Sequence, residues 1–135
     1  KTPEETGLIW RALAECESYI VSAGDKVVRP IFFGKGLDKV EEIQQAAQTL
    51  RHELKMIDER LAGAHWLVGD KISPADIGVF PLVQLLLRAA SKEAAQPLNL
   101  GLLPLAQTFP NIARWVGRIE ALPNYQRTYP PHWRP

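Results

Sequence analysis

Few side chains in this sequence have the spacing that chemistry needs. The single cysteine, Cys16, falls in register with Ile9, Leu13 and Ile20, one stripe of a helix. A reactive thiol requires exposure and a neighbouring positive charge, so this position predicts a buried structural thiol. His52, His65 and His132 share no ligand spacing, and no metal site is expected. Asp76 stands inside a strongly apolar stretch, where a carboxylate could serve as a buried catalytic acid. Its neighbours explain it in another way.

Ser73-Pro74-Ala75-Asp76 has the form of a helix start. Ser73 at the N-cap can accept from the Asp76 amide, and the Asp76 carboxylate can reach back to the Ser73 amide. Pro74 takes the first helical position, where no amide is needed. Ile72 and Ile77 stand at the two positions of a hydrophobic staple. Ser73 and Asp76 are therefore expected to form a structural capping box that opens a buried helix. Trp115, on a helical face, reads as core.

Four helices follow from the pattern. Thr2-Pro3-Glu4-Glu5 is an N-cap, a proline at the first turn and a closing Glu. The helix behind it carries Leu8, Trp10, Ala12, Ala14, Tyr19 and Val21 off its main stripe, so it is apolar on several faces and wants a neighbour beyond its own bundle. Gly24-Asp25 is expected to weaken it, and Pro30 to kink or end it. Asp38 and Glu41 suggest another capping box. Val40, Ile43, Ala47, Leu50, Leu54, Ile57 and Leu61 then make one apolar seam, whose charged residues read as the wet face, with Gly63 as the stop. The stretch from Ser73 to about Ala90 is apolar almost all round and reads as the central helix, kinked at Pro81. Residues 96–104 read as irregular. Phe109-Pro110 opens a helix with Ile112, Trp115, Val116 and Ile119 on one face, ended by Leu122-Pro123. Residues 124–129 add one turn, and the tail from Pro130 to Trp133 reads as extended or loose. Nothing alternates with period two, so the fold class is all-α, a helical bundle in one domain over residues 1–135.

The length of 135 residues suits one domain with its own core. Sixteen basic and fifteen acidic side chains nearly cancel, which gives no electrostatic footprint for nucleic acid or an anionic membrane. No apolar run approaches the roughly 20 residues that span a bilayer. One cysteine makes no internal disulfide, and a reducing, cytoplasmic setting is the default. A chain that starts at Lys1 rather than Met reads as a fragment or a processed product.

The run Trp66-Leu67-Val68-Gly69-Asp70-Lys71-Ile72-Ser73-Pro74-Ala75-Asp76-Ile77 resembles the loop and capping box that open the central helix in the C-terminal domain of glutathione transferases. Phe80-Pro81 is similar to the continuation in bacterial members. Arg29-Pro30-Ile31-Phe32-Phe33-Gly34 resembles the end of their first C-terminal helix, and Phe109-Pro110-Asn111-Ile112 with Trp115 and Leu122-Pro123 resembles their last major helix. These landmarks keep the family's order across nearly the whole chain.

The resemblance implies a preceding thioredoxin-like domain, absent from this sequence, which binds glutathione and carries the Ser, Tyr or Cys that activates its thiol. The catalytic residue is then not in this chain, which alone is expected to be inactive. The same resemblance implies that Asp25, Val28, Arg29 and Phe32 line the pocket for a small electrophilic substrate, with Tyr129 and Trp133 as a possible cover. The alternative leaves Val28 and Phe32 in the core and the charged pair in solvent. A homodimer and a role in detoxification follow from the same likeness. Two rivals stand beside the enzyme: a non-catalytic module for protein–protein assembly, as in translation factors and synthetase assemblies, and a ligand-holding member without turnover.

Overall fold

The computed structural model describes residues 2–134. Among them are seven α-helices and no strand, as the missing period-two pattern requires. The Thr2 capping box forms: the Glu5 amide donates to Thr2 Oγ1 and the Thr2 amide to Glu5 Oε2, both at 3.1 Å. It opens α1 (Pro3–Glu15), which passes through a π-helical turn (Cys16–Val21) directly into α2 (Ser22–Phe32). The expected weakness at Gly24-Asp25 is absent, and the irregularity lies one turn earlier, at the wider π turn. Pro30 stands in the last turn of α2, close to where the helix stops.

A 3₁₀ turn (Gly36–Lys39) leads into α3 (Val40–Arg60). The expected Asp38–Glu41 box does not form. The 3₁₀ turn runs straight into the helix, so Lys39 holds the boundary and no side chain caps it. The predicted seam is buried from Ile43 to Leu61, and Gly63, with φ of +79°, turns the chain away in a conformation that few other residues adopt. At the same end, Arg60 Nη2 bonds Glu15 Oε2 at 2.7 Å, fastening α3 to α1.

The reading of every charged residue on α3 as its wet face fails at Asp58. This side chain is buried. Its Oδ1 accepts from the Asn111 and Ile112 amides and its Oδ2 from Asn111 Nδ2, all at 2.8 Å. Those amides belong to the first turn of α6 (Pro110–Glu120), whose N-cap residue Phe109 makes no side-chain cap of its own. A helix start leaves amides without partners and carries partial positive charge, so a carboxylate from another helix completes it.

The central helix, α4 (Pro74–Ala90), runs unbroken through Pro81. Its buried line is Val79, Phe80, Val83, Leu86 and Ala89, and α1 crosses it so closely that a Cβ at Gly78 would run into Leu13 Cδ2. The helix is not sealed all round, because Ile77 is 65% exposed. The irregular region holds a 3₁₀ segment (Glu93–Leu98) and then buries Leu100 and Leu102, with Arg51 Nη1 bonding the Leu100 carbonyl at 2.6 Å. A short α5 (Leu105–Thr108) precedes α6, and α7 (Tyr125–Thr128) is the expected single turn. The tail is not loose. A 3₁₀ turn (Pro131–Trp133) folds back on α4, where the Arg88 guanidinium lies 4.9 Å over the Trp133 ring.

Asp58→Ala should therefore destabilise the chain by about 1–3 kcal/mol, since it strands the two amides of α6. Asp58→Asn, which keeps one acceptor oxygen, should lose less. Urea midpoints decide it, and a wild-type midpoint for Asp58→Ala would refute the capping role.

Candidate functional site

Asp76 is completely buried, and each of its oxygens is engaged twice. Oδ1 accepts from the Leu67 amide at 2.9 Å and Trp115 Nε1 at 2.8 Å. Oδ2 accepts from the Ser73 amide at 2.9 Å and Ser73 Oγ at 3.0 Å. Ser73 Oγ in turn accepts from the Ala75 amide at 3.2 Å, and the capping box is closed. A carboxylate filled in this way has no lone pair facing a cavity and no room for a substrate proton. Its work is to join the 67–73 loop, α4 and α6. The sequence reading found the box and missed the bond to Trp115. The available signal was chemical: a buried indole N–H needs an acceptor, and Asp76 was the one acid in the apolar centre.

The α2 residues divide. Asp25, Arg29 and Phe32 lie on one exposed face, spaced four and then three apart, while Val28 turns into the core. Arg29 Nη2 sits 3.3 Å from Asp25 Oδ2, and both side chains are mostly in solvent, so the pair adds little stability. Phe32 is 42% exposed, with Lys92 Nζ 5.7 Å over its ring. The structure brings three of the four residues into one strip and makes Val28 its buried anchor.

A deeper depression lies elsewhere. A groove of about 470 Å³ runs between the first half of α4, the end of α6, α7 and the tail. Ile77, Phe80, Gln84, Leu122, Tyr129 and Trp133 are among its walls. No linear motif marks it, because it is assembled from two chain segments some forty residues apart.

Cys16 is buried, beside a void of about 30 Å³ between the π turn and α3. Burial pushes its thiol from the ordinary 9.0 up to about 11. It is therefore neutral, not nucleophilic, near pH 7. No group of three or more metal-ligating side chains occurs among the described residues, and none of their helices is long and apolar enough to cross a membrane.

Two outcomes follow. Ser73→Ala should cost about 0.5–2 kcal/mol and Asp76→Ala more, because the Leu67 amide and the Trp115 indole lose their acceptor. In a double-mutant cycle, Asp76→Ala with Trp115→Phe should depart from additivity by more than about 0.5 kcal/mol, and additive midpoints would break the proposed link. For Cys16, the unfolded thiol ionises above pH 9.0 while the native thiol stays neutral to about 11. Its contribution to stability is therefore complete below pH 9.0 and lost as pH rises through that window. Comparing Cys16→Ser with the parent between pH 8 and about 11 checks the sign.

The family model for the glutathione S-transferase C-terminal domain matches residues 21–123. No curated protein is similar enough to count as a relative. The match runs from the end of the π turn, through the seam of α3 and the Ser73–Asp76 box, to the Pro123 stop behind α6, and by that span the chain belongs to the glutathione S-transferase C-terminal domain family.

Proposed function

We propose that this chain is the acceptor-side half of a glutathione transferase-like protein. In this reading a thioredoxin-like domain upstream binds glutathione and activates its thiol. The helical domain offers Asp25, Arg29 and Phe32 to a small electrophilic or peroxide substrate, with Val28 fixing their helix in the core. In conjugation, the glutathione sulfur forms a bond to an electrophilic carbon, and the displaced electron pair leaves with a departing group or moves onto the activated double bond. Phe32 would give the carbon skeleton an apolar surface, and Arg29 can leave Asp25 to donate to the substrate's polar group. A homodimer in the cytoplasm completes the proposal.

One observation carries it beside the family match: the α2 strip is held by a buried residue yet left open to solvent. The polar groups inside the domain point the same way, since they are already committed. Asp58 and Asp76 have their acceptors filled by backbone and indole donors, and Cys16 is a buried neutral thiol. Activating a thiol needs a donor or base aimed at sulfur, and in this reading that group belongs to the other domain.

The chain alone should show no glutathione binding by calorimetry at millimolar ligand. Joined to its upstream domain, it should conjugate. In that protein Arg29→Ala and Phe32→Ala should each raise KM for the electrophile up to about tenfold, about 1.4 kcal/mol, with KM for glutathione unchanged. Glutathione binding by the chain alone would overturn the division of labour. A joined protein that holds glutathione without turnover would favour the non-catalytic assembly module.

A further inference from the structure

We infer that the groove between α4 and the C-terminal tail is a binding site for a small, neutral, aromatic molecule. Its volume of about 470 Å³ lies within the roughly 300–1,000 Å³ of small-molecule sites. It is separate from the α2 strip. Phe32 sits against Lys92, beyond the end of α4, whereas the groove opens beside Ile72 and Ile77 at the start of that helix. At 1.5 Å per residue, Gln84 at the near end of the groove is about 12 Å from Lys92 along α4, and none of the groove's walls comes from α2. The inference does not depend on the glutathione reading and holds whether or not the parent protein turns over.

The walls are built in advance. Phe80 and Tyr125 meet edge to face at 5.9 Å, Tyr125 and Tyr129 at 6.3 Å, and Tyr129 and Trp133 at 6.2 Å. Arg88 holds the last ring, stacking on Trp133 and donating from Nη1 to its carbonyl at 3.4 Å. A wall fixed in this way spends little entropy when a ligand arrives. The opposite wall is unfinished, because Ile72 and Ile77 stand where a staple would close on itself and both remain exposed.

The chemistry of the walls selects the occupant. Among the described residues no Lys, Arg or His lines the groove, and the only acid there is Asp76, whose oxygens are both covered by protein donors. An ion entering would lose water and find no partner. Glu120 stands at the rim, where it accepts from Gln84 Nε2 at 3.2 Å and repels anions. That bond leaves Gln84 Oε1 to accept from a ligand hydroxyl. Burial, with Glu120 and Tyr129 adding to it, raises the Tyr125 phenol above its ordinary range and keeps that wall uncharged. An aromatic ring extends the edge-to-face series at 4.5–7 Å spacing, so the matching molecule is a bicyclic aromatic with one neutral hydroxyl.

The probe is 2-naphthol at pH 7, titrated calorimetrically into the chain and followed by amide NMR. Binding is expected with a Kd on the order of 100 µM, shifting the Trp133 indole and the Gln84 side-chain amide. Ile77→Lys, at a 65% exposed position, should weaken it at least about tenfold without disturbing the fold, and Trp133→Ala should do the same. Phe32→Ala should leave it unchanged. The anion 2-naphthalenesulfonate should bind at least about tenfold more weakly. The proposal fails if naphthol does not bind at millimolar concentration. It fails if the sulfonate binds as well, or if Phe32→Ala abolishes binding that Ile77→Lys spares. A concentration-dependent dimer in sedimentation that Ile77→Lys dissolves would also overturn it, since a second copy would then cover the groove.

Discussion

A carboxylate with no exposed surface persists in an apolar bundle only when donors replace the water that it has lost. Asp76 meets that condition four times over, and the identity of its donors organises the domain. The Leu67 amide fixes the loop that enters α4, Ser73 fixes the start of α4, and Trp115 fixes the rotation of α6 about its own axis. Remove the carboxylate and each of these elements keeps its apolar packing but loses the polar contact that makes the packing unique. Apolar burial is non-directional, so direction must come from such contacts.

Asp58 repeats the device at the start of α6. The two acids hold that helix at two points, Asp58 at its first-turn amides and Asp76 at the indole one turn later. Among the described residues neither acid has a cation as a hydrogen-bond partner. Uncharged N–H groups do the neutralising, assisted at Asp58 by the helix dipole. This accounts for two acids in a core whose other buried side chains are almost all apolar.

What could be read from the sequence follows from how far apart the cooperating residues lie. The Thr2–Glu5 and Ser73–Asp76 boxes, the α3 seam and the α6 face were legible because their partners are within one or two turns. The role of Asp58 was not, since its partners are 53 and 54 positions away and an acid on a charged helix looks solvated. The tail misled for the same reason: Pro130-Pro131 signals an extended chain, and only the distant Arg88 turns it back. On the candidate site, only the resemblance to the family grouped Asp25, Val28, Arg29 and Phe32, and it left open whether Val28 and Phe32 face the core; burial separates them, Val28 inward and Phe32 outward. The groove was invisible, because its walls come from α4 and from the end of the chain.

The contact of α1 with α4 at Gly78 has a consequence for which positions can vary. Gly78 offers no side chain to the contact, and the Leu13 side chain of α1 fills the space that a Cβ there would need. A larger residue at position 78 would have to displace the end of the Leu13 side chain. Trp10, three positions before Leu13, is 68% exposed, so a substitution there leaves the contact between Leu13 and Gly78 in place. Position 78 is held small by its neighbour, while position 10 is open to change.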